Sequence, residues 1–192
     1  MRKTILTRKT AETDVKLELN LEEASENSIQ TGIGFFDHML NLFAFRAGIT
    51  LNIECKGDLE VDGHHTVEDV GICLGQAIAQ TLGDKTGINR YGSARIPMDE
   101  ALAEVDLDLS NRPYLVFNAE LPAELCGEFQ TELTEEFFRA VSQNSGMTLH
   151  INVPYGKNTH HKIEAIFKAF GMSFGKAIQK AANSATSTKG MI

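Results

Sequence analysis

The chain has 192 residues, 42% of them hydrophobic and 23% charged, with a net charge of −8. That length suits one domain with a real core. The acidic balance excludes nonspecific binding to nucleic acid or to an anionic membrane as its main role, since both need a basic footprint; a local basic pocket for an anionic small molecule stays open.

From the N-terminus, "ILTRKTAETDVKLELNL" alternates polar and apolar residues, most clearly through Val15, Leu17, Leu19 and Leu21, and reads as one or two antiparallel strands. "FFDHMLNLFAFRAG" has helical spacing and stops at Gly48, a plausible C′ glycine. "ITLNIECKG" reads as a strand, and "HHTVEDVGICLGQAIAQTLG" as a helix ending near Gly83. "ALAEVDLDLS" alternates cleanly and reads as a strand with one wet face, followed by a second strand in "RPYLVFNAEL". "LTEEFFRAVSQNSG" is a helix with Thr131 or Thr134 as N-cap, "MTLHINVPYG" a strand, "HHKIEAIFKAFGMSFGKAIQKAA" a long helix, and "NSATSTKGMI" a polar tail. Cys55, Cys73 and Cys126 are scattered, with no CxxC, which fits free buried thiols in a reducing compartment. The start of the chain lacks the apolar stretch of a signal peptide, and no apolar run approaches the roughly 20 residues of a membrane span. The expected location is the cytoplasm.

An internal repeat emerges when Gly48 is laid on Gly146. "HMLNLFAFRAGITLNI" then lies over "EFFRAVSQNSGMTLHI" and, after a short gap, "HHTVEDVGICLG" over "HHKIEAIFKAFG". His64 falls on His160, His65 on His161, Glu68 on Glu164 and Gly75 on Gly171, with Val67, Val70 and Leu74 over Ile163, Ile166 and Phe170. The expected architecture is α+β, one compact domain of two copies with pseudo-twofold symmetry, residues 1–92 and 93–192, its helices packed together and its sheets outside.

At 100° per residue the two histidines and the glutamate of each His-His-x-x-Glu share one arc of the helix, beside the apolar stripe. One such group is a common solvated helix start. Two, in register with a repeat, point to metal binding. Imidazole plus carboxylate suits Mn, Fe, Ni, Co or Zn; no cysteine is near and the pattern is not HExxH, so neither a thiolate zinc site nor a zincin is supported. The repeat also nominates His38 and its counterpart Glu136, each ten residues before its glycine. On this reading His38 faces the His64 arc and Glu136 the His160 arc. His150 matches Asn52 and reads as a wet-face strand residue.

"GFFDHML", "DGHHTVEDVGICLG", "GKNTHHKIEAIFKAFG" and "STKG" together resemble the imidazoleglycerol-phosphate dehydratases, and the resemblance runs from about Arg8 to Gly190. It implies a duplicated α+β unit with helices between two four-stranded sheets, and trimers assembled into a 24-subunit shell with active sites between subunits. It also implies two Mn ions per active site, with His38, His64, His65, Glu68, His160, His161 and Glu164 as ligands. Many members carry histidine where this chain has Glu136. The implied reaction removes water from D-erythro-imidazoleglycerol phosphate in histidine biosynthesis, with Glu12 moving protons. Arg90, Arg112, Ser187, Thr188 and Lys189 are the implied substrate and phosphate contacts, and the helix spacing adds Lys168 as a further cation for the phosphate. Lys168 falls inside the ligand arc, while its repeat partner is Ile72. Two rivals remain on the sequence alone: a dimetal hydrolase, and a protein whose metals only clip subunits together.

Overall fold

The computed structural model describes residues 2–181. Two four-stranded sheets enclose a layer of four long helices. The first half runs β1 (Lys3–Lys9), β2 (Thr13–Asn20), β3 (Ser28–Gln30), α1 (Gly34–Ala47), β4 (Thr50–Gly57) and α2 (His64–Leu82). The second runs β5 (Tyr91–Met98), β6 (Ala101–Asp108), β7 (Tyr114–Asn118), a small hairpin of β8 (Leu125–Cys126) and β9 (Phe129–Gln130), α3 (Leu133–Ser145), β10 (Thr148–Tyr155) and α4 (Thr159–Ala177).

The duplication is visible in the sheets. Their strand orders are β1-β2-β4-β3 and β5-β6-β10-β7, each with one parallel pair at the same place. The register repeats as well: Asn52 sits opposite Glu18 and Ser28, and His150 opposite Asp106 and Val116. The division drawn between residues 92 and 93 falls inside β5, which begins at Tyr91. That strand and β3 carry weak alternation in sequence; backbone pairing with a well-patterned neighbour makes them strands.

Alternation does fix the inward faces of the central strands. Val15, Leu17 and Leu19 of β2 and Ala103, Val105 and Leu107 of β6 are buried, and at roughly 25 cal/mol per Å2 each of the valines and leucines contributes on the order of 1.5–3 kcal/mol. Gly48 and Gly146 close α1 and α3 in the left-handed region, with φ of 68° and 72°. The expected threonine cap of α3 is absent. Its N-cap is Glu132, without a side-chain cap bond, and Thr131 Oγ1 instead donates to the Ala123 carbonyl at 2.5 Å, tying down the β8–β9 segment. The last helix ends at Ala177, earlier than its apolar pattern suggests, where Asn89 and Arg90 take up its final carbonyls: Asn89 Nδ2 donates to Lys176 O and the Arg90 N–H to Ala177 O.

Helices pair across the halves, α1 on α4 and α2 on α3. The glycines matched by the repeat explain how close they come. A Cβ on Gly75 would stand 2.8 Å from the Val141 carbonyl, and one on Gly171 2.6 Å from the Phe43 carbonyl, so backbone meets backbone only because both are glycine. Phe43, Phe138, Phe167, Phe170 and Phe174 interlock beside these approaches. The pairs run parallel: early residues of one helix meet early residues of its partner, as His38 meets Glu164, and later ones meet later ones, as Phe43 meets Phe170. The helix N-termini therefore open at one end of the layer, where their dipoles favour negative charge.

Candidate metal centre

Both His-His-x-x-Glu groups start their helices, α2 at His64 and α4 at Thr159. Each start is held by a local acceptor. The His64 N–H donates to Asp62 Oδ1 at 2.8 Å, and the His161 N–H to Asn158 Oδ1 at 3.3 Å.

At the start of α4, the Nε2 atoms of His160 and His38 lie 3.1 and 3.8 Å from Glu164 Oε2, and Lys168 Nζ lies 2.5 Å from the other oxygen, Oε1. Burial opposes ionisation of Glu164, but Lys168 and His160 outweigh it and hold its pKa below the usual carboxylate value. Phe35 closes one side, its ring edge-on to His160 at 5.0 Å. His161 turns away from this trio. Its Nδ1 donates to Glu100 Oε2 at 2.7 Å, and its Nε2 stands 3.8 Å from Asp99 Oδ2. Hydrogen bonds from the N–H groups of Asn158 and Lys157 and from His161 pull Glu100 down to about 2.

At the start of α2, His65 Nδ1 donates to the Asp58 carboxylate at 3.0 Å, and its Nε2 lies 3.7 Å from Glu12 Oε1. Glu12 stands in the β1–β2 turn, its N–H bonded to Thr10 Oγ1. Buried Asp69, from α2, steadies that turn by accepting from Arg8 Nε at 2.9 Å and from Thr13 Oγ1. The β8–β9 hairpin touches the start of α2 directly and that of α4 through Phe35 of α1, the ring that packs on His160. Gln130 Oε1 accepts the Gly63 N–H at 3.3 Å, and Phe129 packs on Phe35 at 5.5 Å.

The expected facing of the helices is overturned in one respect. His38 meets the α4 group and not His64, because α1 packs on α4 and not on its own half's α2. Glu136 accordingly sits on α3 beside α2, half-buried, with Arg139 Nη2 3.6 Å away. The sequence repeat shows which residues correspond; it does not show that helices exchange partners between copies. His150 lies exposed on β10.

The second histidine of each pair thus has Nδ1 committed to a carboxylate and Nε2 turned outward, the orientation that carboxylates give to metal-binding histidines. The set of imidazole nitrogens and carboxylate oxygens fits a divalent transition metal such as Mn. Yet among the described residues no group of three or more such side chains is gathered tightly enough to hold a metal ion by itself. Arg90 and Arg112 are not at this end at all. Arg90 is buried and forks onto Asp108, with Nε to Oδ1 at 2.6 Å and Nη2 to Oδ2 at 3.0 Å, and Arg112 Nη2 reaches the same Oδ2 at 3.4 Å. Glu100 precedes the first residue of β6 and Asp108 is its last, a strand length of roughly 24 Å. Ser187, Thr188 and Lys189 lie outside the described residues.

Sequence reasoning passed over Asp58, Asp99 and Glu100. A signal existed for Glu100: it immediately precedes β6 as Glu12 immediately precedes β2, so extending the repeat to the hairpins sets these two carboxylates on each other. No helix among the described residues is long and apolar enough to cross a membrane.

The family model of imidazoleglycerol-phosphate dehydratase matches residues 31–174. A protein of that name from Acetivibrio thermocellus is 58% identical over 193 residues, spanning 100% of this chain and 99% of the relative. One from Listeria welshimeri is 56% identical with both chains covered in full. Among solved structures, the enzyme from Staphylococcus aureus is similar at a TM-score of 0.86 and 46% identity, covering 93% of this chain and 99% of that one. The enzyme from Pyrococcus furiosus, in complex with (S)-C348, is similar at 0.85 and 35%, covering 97% and 100%. Similarity of this extent, in sequence and in fold, makes this chain a member of the imidazoleglycerol-phosphate dehydratase family.

Proposed function

We propose that the chain converts D-erythro-imidazoleglycerol phosphate to imidazoleacetol phosphate and water, a step of histidine biosynthesis, with two Mn ions at each active site. A carbon-bound hydrogen and the neighbouring hydroxyl leave together as water, and the resulting enol becomes the ketone. The hydrogen is hard to remove, because no carbonyl activates it. Bound Mn supplies the missing electron sink by polarising the substrate's imidazole ring.

His38, His160 and Glu164 at the start of α4, His161 beside them, and His64, His65, Glu68 and Glu136 around the start of α2 are the residues that would hold the metals. Glu12 is the proton carrier: its carboxylate is half-exposed, 3.7 Å from His65 Nε2, and fixed by the Thr10 and Asp69 bonds of its turn. Lys168 is the cation for the phosphate or another anionic part of the substrate; the first half has Ile72 in its place, which suits a substrate charged at one end only. Arg90 and Arg112 complete the recognition from a neighbouring subunit. A small substrate cannot span the strand length that separates them from His161 within one chain. That requirement, with the loose spacing of the ligands in the single chain, supports an assembly in which sites form between subunits, the 24-subunit shell of trimers that the sequence motifs imply.

The observation that carries the proposal is the meeting of His38, His160 and Glu164, drawn from both halves, with Lys168 on the spare carboxylate oxygen. The test is to strip the protein with chelator, restore Mn, add imidazoleglycerol phosphate and assay the ketone. Ketone formed with Mn and absent without it is the expected result. Phosphate release, or no product with Mn restored, would overturn the proposal in favour of a hydrolase or of metals that only join subunits.

A further inference from the structure

We propose that Glu100 is a positioning residue that fixes the tautomer of His161, so that Nε2 is the nitrogen presented to metal. The inference rests on reading His161 as a ligand. The two oxygens of Glu100 have separate tasks. Oε1 accepts the N–H groups of Lys157 and Asn158 at 2.9 and 2.7 Å, fastening the turn that leads into α4. Oε2 lies 2.7 Å from His161 Nδ1. An ionised carboxylate only accepts hydrogen bonds, so the ring proton must sit on Nδ1, and the lone pair is left on Nε2.

The duplication sharpens the assignment. Glu100 holds the position, one residue before the second strand of its sheet, that Glu12 holds in the first half. Glu12 approaches the outward Nε2 of its histidine, at 3.7 Å, whereas Glu100 has taken the inward Nδ1. In the first half the inward nitrogen is served by Asp58 instead, with both carboxylate oxygens within 3.2 Å. One ancestral position therefore carries two roles: substrate-side acid or base in the first half, ligand orientation in the second.

Glu100→Gln separates orientation from loop anchoring. The amide oxygen can still accept the Lys157 and Asn158 N–H groups, since turning the amide the other way would set its NH2 against two donors. Its NH2 then faces Nδ1, which must become an acceptor, and the ring proton moves to Nε2, where it blocks coordination. Mn2+ titration of the chelator-stripped, assembled protein, followed by the resonance signal of free Mn2+, reads the effect directly. We expect E100Q to weaken one class of Mn sites by about 10–100-fold with a melting temperature close to that of the parent. E100D, which keeps an acceptor-only carboxylate, should recover part of that affinity. Wild-type Mn affinity in E100Q, E100D no better than E100Q, or a collapse of melting temperature alongside affinity in E100Q would each overturn the proposal. His161→Phe separates this from the reading beneath it. If H161F loses Mn while E100Q keeps it, only the positioning role fails; if H161F binds Mn as the parent does, His161 is no ligand.

Discussion

Lys168 Nζ sits 2.5 Å from Glu164 Oε1, one turn further along α4, so the cation assigned to substrate is also the counter-charge of an assigned metal ligand. Both groups are largely buried, and the pair is closed on its other side by His160. A metal taking Glu164 would compete with Lys168 for the carboxylate and turn the ammonium toward an incoming anion.

Removing that lysine should therefore spare the metals and damage substrate binding. A lysine–phosphate contact in a partly desolvated site is worth about 1.5–3 kcal/mol. Lys168→Ala is expected to raise KM by about ten- to a hundredfold, with a smaller change in kcat, at unchanged Mn content. Steady-state kinetics beside metal analysis checks both parts. Parental kinetics would reduce Lys168 to a structural partner of Glu164.

Glu136 and His150 offer opposite expectations for two residues that histidine-counting would rank the other way round. Glu136→Ala should lower Mn content and turnover, and Glu136→His should restore both in part, since imidazole is a common substitute ligand. His150→Asn should change little, because it copies what Asn52 already does at the same register position of the first sheet. Metal content per subunit after gel filtration, measured with turnover, decides. Full metal in Glu136→Ala together with metal loss in His150→Asn would reverse the assignment.

The cysteines should be chemically silent in the folded protein. Cys55, Cys73 and Cys126 are free and buried, and burial, reinforced by the Asp69 charge, pushes Cys55 up to about 11 and Cys73 up to about 12. The thiolate is the reactive form, so a disulfide reagent at pH 8 should find almost no reactive thiol until the chain unfolds. The same shifts set a pH window. An acid whose pKa is raised in the folded state favours folding fully below its unfolded value of 9.0, and that contribution is lost as pH climbs toward 11–12. Melting temperature should fall across that alkaline range, less steeply in a Cys73→Ala variant. Fast labelling of the native protein at pH 8 would contradict the burial of these groups.

How much of this was legible in sequence depends on the range of the physics involved. The central strands and all four helices were readable, because Val15, Leu17 and Leu19, or Val67, Val70 and Leu74, report a local period. That a His-His-x-x-Glu group opens each long helix was readable from the spacing and its repetition in the second copy. The pairing of His38 with Glu164 was not, since it depends on which helices exchange partners, and no local pattern encodes that. Glu100 was missed for a related reason. It reaches His161 from a hairpin turn sixty-one positions earlier in the chain, and only the sheet register identifies it as the counterpart of Glu12. Strand β5 was missed because its inward face, Gly92, Ala94, Ile96 and Met98, begins with two small residues and is only partly buried, which leaves a weak alternation in sequence.

The central claim is that substrate is gripped by the histidine end of one subunit and the arginine end of another. Co-expression of two inactive variants, Arg112→Ala and His161→Ala, tests it most directly. In mixed assemblies some sites combine the intact His161 of the first variant with the intact Arg112 of the second. Random assembly should then return about a quarter of the parental turnover of imidazoleglycerol phosphate, although neither variant alone is active. A mixture no more active than the two variants assayed separately would contradict the account, and would return His161 and Arg112 to a site contained within a single chain or to no shared site at all.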